Sequence, residues 1–152
     1  MLDTNTLVRG MYSSLSPAGR VLEGCRSRFY RFLLSKAVFA EYVEVLNYEE
    51  IRERNYDVHW KSATLLVMRL KYVSVYLPSV SVSFDFRRDP DEAKFLELAI
   101  AGNATHLVTH DRDLLSLRSG HTEVAKRLRR RMPRLSILTA ADFLSSMKSR
   151  EN

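Results

Sequence analysis

Apolar positions recur along the chain in two rhythms, and the changes between them divide it into amphipathic helices and short buried strands. Steps of three and four carry Val38, Tyr42, Val45 and Leu46, with Phe39 and Val43 beside them, which predicts a helix from Lys36 to about Arg54. A second stripe, Trp60, Ala63, Leu66, Val67, Leu70 and Val73, predicts a helix from Asp57 to about Tyr76. Ser16-Pro17 supplies an N-cap with proline at the first helical position and opens a helix with Val21, Leu22 and Cys25 inward. Between these lie runs too short for helices and mostly apolar, β-branched or aromatic. Met1-Leu2, cut very short, Phe29 to Leu34, His106 to Thr109 and Leu135 to Leu138 are read as strands, and Pro78 to Phe86 as an extended or strand-like segment. Thr139 caps a last helix holding Phe143, Leu144 and Met147.

The stretch from Asp89 to Asp113 is the most sharply punctuated. Asp89 stands as N-cap, Pro90 at the first helical position, Glu92 three residues after the cap, and Gly102-Asn103 past the end. The strand that follows delivers Asp111 and Asp113 at its carboxyl end, where ligands bind in open α/β sheets. Strands alternating with helices predict an α/β sandwich with a mostly parallel sheet of four or five strands.

Composition narrows this picture. At 152 residues, 45% apolar and 28% charged, the chain is expected to form a single domain over residues 1–147 with a frayed tail at 148–152. No run approaches the roughly 18 apolar residues of a membrane span, and Met1-Leu2-Asp3 does not begin a secretory leader. A single cysteine, Cys25, excludes an intramolecular disulfide and fits a reducing cytoplasm. The net charge of +6 is concentrated: Lys126, Arg127, Arg129, Arg130, Arg131 and Arg134 crowd one segment, and Arg87, Arg88, Arg112 and Arg118 stand near the acids. Such a field attracts phosphates, although a charge run alone is also what a solvated helix face looks like.

Acids occur at predicted strand ends or helix faces in separated places: Asp3, Glu41, the Asp89-Asp91-Glu92 cluster, and Asp111 with Asp113. Each has an ordinary explanation. Asp89 and Glu92 satisfy a capping box, Asp111 caps the Leu114-Leu115 turn, Glu41 snorkels from the edge of its stripe, and Asp3 is a surface acid. Right-handed crossovers put the carboxyl ends of parallel strands on one edge, so Asp3 and Asp111 share a rim if their strands are neighbours. Several carboxylates in one pocket repel, and a hard divalent cation with oxygen ligands, Mg²⁺ or Mn²⁺ rather than zinc, removes the conflict.

Asp3-Thr4-Asn5, Ser35 followed by Glu41, Asp89-Pro90-Asp91-Glu92 ahead of Phe95-Leu96-Glu97-Leu98-Ala99, and Leu107-Val108-Thr109-His110-Asp111-Arg112-Asp113 together resemble the PIN domain family. The resemblance covers nearly the whole chain and is nearest to the family's toxin branch, the VapC-like ribonucleases of toxin–antitoxin pairs. It implies a three-layer α/β/α sandwich and a Mg²⁺- or Mn²⁺-dependent nuclease acting on single-stranded RNA. The family's catalytic acids fall on Asp3, Glu41, Glu92 and Asp111. Asp91 is the rival to Glu92 and Asp113 a further metal-proximal acid, while Asn5, Ser35 and Thr109 match supporting polar positions. Arg87, Arg88, Arg112, Arg118, Lys126, Arg127 and Arg130 would hold flanking phosphates. The implied partners are RNA, an antitoxin protein and a second copy of the chain, with no membrane. Two departures stand out: Glu92 where the family usually has aspartate, and few residues before the first acid. Both favour an alternative, a PIN-like module that binds RNA or a protein partner without cleaving.

Overall fold

The computed structural model describes residues 1–48 and 60–149, the side chains of residues 60–62 excepted. The helix expected from Lys36 to about Arg54 ends at Leu46, where Asn47 forms its C-cap, while the expected stretch beyond Tyr48, the start of the next helix at Asp57 and residues 150–152 of the expected tail lie outside the described residues. The strands are β1 (Leu33–Ser35), β2 (Val75–Leu77), β3 (His106–Val108) and β4 (Ser136–Leu138). The helices are α1 (Thr4–Tyr12), α2 (Pro17–Arg26), α3 (Lys36–Leu46), α4 (Trp60–Val73), α5 (Ala93–Ala101), α6 (Arg112–Ser116), α7 (Glu123–Arg131) and α8 (Ala140–Lys148). A 3-10 turn over Pro90–Glu92 leads into α5.

Both ladders are parallel, as strands joined through helices require: β1 pairs with β2, and β3 with β4. The expected α/β class therefore holds, but the strands pair two by two rather than in one sheet of four or five. Met1-Leu2 joins β3 through a single parallel bridge, Leu2 to Val108, because the segment passes into α1 immediately afterwards. Val108 N–H donates to the Met1 carbonyl (3.0 Å) and Asp3 N–H to the Val108 carbonyl (3.1 Å).

Two strand positions differ from the pattern reading. Phe29 to Arg31 do not join β1: the chain leaves α2 through Arg28 in the left-handed region (φ 63), and Tyr30 N–H closes the helix end on the Gly24 carbonyl. Val75 and Tyr76, read as the tail of a helix, form β2 with Leu77 instead, since α4 ends at Val73 and a β-branched and an aromatic residue open the segment that follows Ser74. Pro78 to Phe86 enters no ladder, but Phe84 and Phe86 are buried and Ser83 and Asp85 exposed, so its alternation anchors an extended segment.

Leu7, Val21, Leu34, Val38, Phe95, Leu98, Leu107, Leu114 and Ile137 meet in one core. Helices α1 and α2 approach backbone to backbone: a Cβ on Gly19 would stand 2.0 Å from the Ser13 carbonyl oxygen, and one on Gly10 would stand 2.9 Å from that of Ala18. Gly19→Ala is expected to destabilise the protein by about 1–3 kcal/mol, read as a lower urea midpoint, because the obstructing atoms are backbone. An unchanged midpoint would show that this crossing relaxes freely.

A cavity of about 540 Å³ opens at the amino ends of the strands, among Val21, Phe32, Leu33, Ala104, His106 and Phe143. No carboxylate lines it. Cys25 borders it, and burial pushes that thiol up to about 11, so it is a packing residue rather than a nucleophile.

Candidate active site

At the other edge, the Leu2 bridge, β1, β3 and β4 each lead into a helix, whereas β2 leads into the extended segment, and at each of these four junctions a side-chain oxygen accepts a hydrogen bond from an amide three residues on. Asp3 takes Thr6 N–H (2.6 Å), Ser35 takes Val38 (3.2 Å), Asp111 takes Leu114 (2.8 Å) and Thr139 takes Asp142 (3.2 Å). The positive end of each helix therefore faces this rim, which favours negative charge there.

Asp3 is 1% exposed, not a surface acid. Its second oxygen accepts from the Thr109 hydroxyl and from His110 N–H (3.3 Å). Thr109, itself buried, also accepts from Asp111 N–H (2.9 Å), so one hydroxyl fastens the two acids to a common frame. His110 is held in turn by the Thr6 hydroxyl (3.1 Å).

Glu41 projects from α3, one residue before Tyr42, whose buried hydroxyl donates to the Leu2 carbonyl (2.7 Å) and ties that helix to the Asp3 segment. One Glu41 oxygen accepts from the Thr4 hydroxyl and the other from the Lys94 ammonium. Burial, then the charges of Asp3, Cys25 and Glu41, push the Tyr42 phenol well above its ordinary range, so it stays a neutral donor.

Glu92 completes the group. Neither Asp89 nor Glu92 makes a side-chain capping bond, which removes the capping box as their explanation. Glu92 Oε2 is buried without a hydrogen-bond partner, and its carboxyl is pushed up to about 8 by burial first and then by Asp3, Glu41, Asp111 and Asp89. Carboxylates from three other parts of the chain thus act on Glu92. Asp91, by contrast, is exposed.

The remaining expected site residues are more dispersed. Asp113 pairs with Arg88 (2.7 Å) at the rim, Asn5 is exposed on α1, and Ser35 is occupied as a buried cap. Arg87 pairs with Asp85, Arg118 with Asp142, and Lys126 and Arg130 with Glu123 of their own helix. Arg127 lies over Phe84 and donates to the Asp85 carbonyl (2.7 Å), acting as a staple. Arg112 is exposed at the start of α6.

Lys94, Thr4, Thr6 and His110 escaped the sequence reading. Lys94 alone carried a signal: a cation in the first turn of a helix opposes the helix dipole and needs an anion nearby.

Residues 1–113 match the family model described as PIN domain. The chain belongs to the PIN domain family. No curated protein and no solved structure matches it. PIN domains are generally nucleases and typically use divalent metals, so a nuclease-type hydrolase function follows in general terms. The candidate donors of this PIN domain fit such an ion: they are all carboxylate oxygens, and one is buried and unpartnered. Among the described residues no three Asp, Glu, His or Cys side chains form a ready-made cluster, so binding an ion requires side-chain movement. No helix of the described residues is long and apolar enough to cross a membrane.

Proposed function

We propose that the protein is a Mg²⁺- or Mn²⁺-dependent endoribonuclease that hydrolyses single-stranded RNA, with Asp3, Glu41, Glu92 and Asp111 as its metal-holding acids. The observation that carries this reading is Glu92: a half-buried carboxyl with one buried, unpartnered oxygen, close enough to Asp3, Glu41 and Asp111 to feel their charges. A bound divalent ion supplies Lewis-acid polarisation of the phosphodiester and a water acidic enough to attack near neutral pH. The chain's own groups do the positioning. Thr109 sets Asp3 relative to Asp111, Thr4 orients Glu41, and Arg88 and Arg112 offer charge to the flanking phosphates at the rim. In this reading Glu92 takes the place of Asp91, and Asp113 serves through Arg88 rather than as a direct ligand.

The toxin role, with an antitoxin covering the acidic rim, rests on the resemblance to the toxin branch. Self-association is supported by the exposed Leu65, Met68 and Tyr72, spaced by three and four along one face of α4. The alternative, a module that binds RNA or a protein partner without cleaving, is favoured by Glu92 in the place usually held by aspartate; it predicts RNA binding without cleavage.

The direct test is cleavage of single-stranded RNA oligonucleotides by the full chain with Mn²⁺ and with EDTA. Cleavage only with the ion is expected. Its absence in both, with RNA still bound, would favour the alternative. Mn²⁺ at about 100 times its Kd is also expected to raise the Tm of the metal-free protein, about 2.7 kcal/mol of linkage giving on the order of 5–10 °C. No shift at millimolar Mn²⁺ would count against an assembled centre.

A further inference from the structure

Lys94 stands where a lysine is least expected. It lies in the first turn of α5, beside the helix's positive end, and its side chain is only 30% exposed. A cation there is unfavourable unless an anion compensates it, and the anion is Glu41, from a helix 53 residues earlier and itself 20% exposed. A pair this sheltered is screened far less than a surface one.

The pairing is selective. Glu41 has both oxygens engaged, one by the Thr4 hydroxyl and one by the Lys94 ammonium, whereas Glu92, two residues before Lys94 in the chain, keeps an unpartnered oxygen. The ammonium therefore neutralises one acid of the group and leaves its neighbour uncompensated. Any divalent ion that engages Glu41 through that second oxygen meets Lys94 already there.

We propose that Lys94 is the built-in countercation of this centre: its ammonium holds Glu41 in place in the metal-free protein and competes with a divalent ion for that carboxylate. Lys94 is then a positioning residue that sets ion affinity, which rests on the metal-dependent reading above. The two possible roles differ in sign. If Lys94 only props up Glu41, its removal loosens a ligand and weakens ion binding. If it competes, its removal takes away a positive charge the ion must displace, and binding tightens.

The experiment is Mn²⁺ titration by calorimetry, without RNA, of the full-length wild type, Lys94→Met, Lys94→Gln and Lys94→Arg. The neutral variants are expected to bind Mn²⁺ about tenfold more tightly, since removing one nearby charge in a partly buried site is worth at least that factor. Lys94→Arg, which keeps the charge, is expected to stay near the wild type. Metal-free Lys94→Met should melt lower than the wild type and show a larger Mn²⁺-induced rise in Tm. Gln retains a hydrogen-bond donor and serves if Met does not fold. Neutral variants that bind Mn²⁺ equally or more weakly than a binding wild type would overturn the role of Lys94 while leaving the nuclease reading intact. A wild type that binds no Mn²⁺ overturns both.

Discussion

Asparagine in place of Asp3 is expected to reduce Mn²⁺-dependent RNA cleavage by about a hundredfold or more, since loss even of an outer partner of a metal ligand typically costs 10–100-fold. The same substitution should lower stability. Asp3 accepts at one oxygen from Thr6 N–H and at the other from the Thr109 hydroxyl and His110 N–H, and it is 1% exposed. An amide offers one acceptor and turns an NH₂ group towards donors, so at least one buried N–H or O–H loses its partner, at about 1–3 kcal/mol. Glu41→Gln separates chemistry from folding. Its site is less buried, and the amide oxygen still accepts from Thr4, so activity should fall with a smaller change in Tm. Rates are compared at a temperature where each variant is folded by circular dichroism. Folded Asp3→Asn that cleaves within tenfold of the wild type would remove Asp3 from the centre.

The metal-free protein is expected to lose stability as pH rises from about 4.5 to about 8, and Glu92→Gln should remove much of that loss. Burial, followed by the charges of Asp3, Glu41, Asp111 and Asp89, raises the folded-state pKa of Glu92 from its ordinary 4.5 to about 8. Between those values the folded state holds a proton that the unfolded chain has released, so stability falls with pH. The contribution of Glu92 is complete below the lower value and lost as pH passes the upper one. Glutamine keeps the shape without the charge. Above pH 8 the metal-free variant should melt higher than the wild type by on the order of 5 °C, allowing for partial solvent screening. Mn²⁺ should reverse the order, because the ion takes the proton's place on Glu92 and finds no anion in the variant. Thermal melts across this range, with EDTA and with Mn²⁺, give both readings. Parallel slopes for wild type and variant would put the titration elsewhere.

The two expected losses have different standing in the sequence. Asp3 and Asp111 were legible because each follows a short apolar run and precedes a helical stripe, a local arrangement that makes an acid both a cap and a strand-end residue. In the structure both acids follow a bridge or strand and cap the next helix, so the capping explanation of Asp111 was correct. Glu92 was legible only as one of two neighbours. The two are consecutive in a 3-10 turn, about a third of a turn apart, with Asp91 exposed and Glu92 partly buried, and residue type alone does not say which of the neighbours lies inward.

The reach of the strands was harder to read. Phe29 to Arg31 have the residue types of a strand, but a left-handed Arg28 and a helix-closing bond to Gly24 spend them on leaving α2. Val75 to Leu77 continue the apolar spacing of α4 and become a strand because β1 lies alongside to pair with them. Hydrogen-bonding partners from distant segments overrode local preference in that case.

Sequence by itself determined the α/β class, the helix stripes, most of the caps and the acids at the ends of Met1-Leu2 and β3. These follow from interactions within a few residues, where side-chain spacing and backbone geometry suffice. Only the tertiary structure decided that Thr109 fastens Asp3 to Asp111, that Glu92 carries a buried oxygen without a partner, and that Lys94 reaches Glu41 across 53 residues. Electrostatic energy depends on distance and burial through space, and neither is set by separation along the chain.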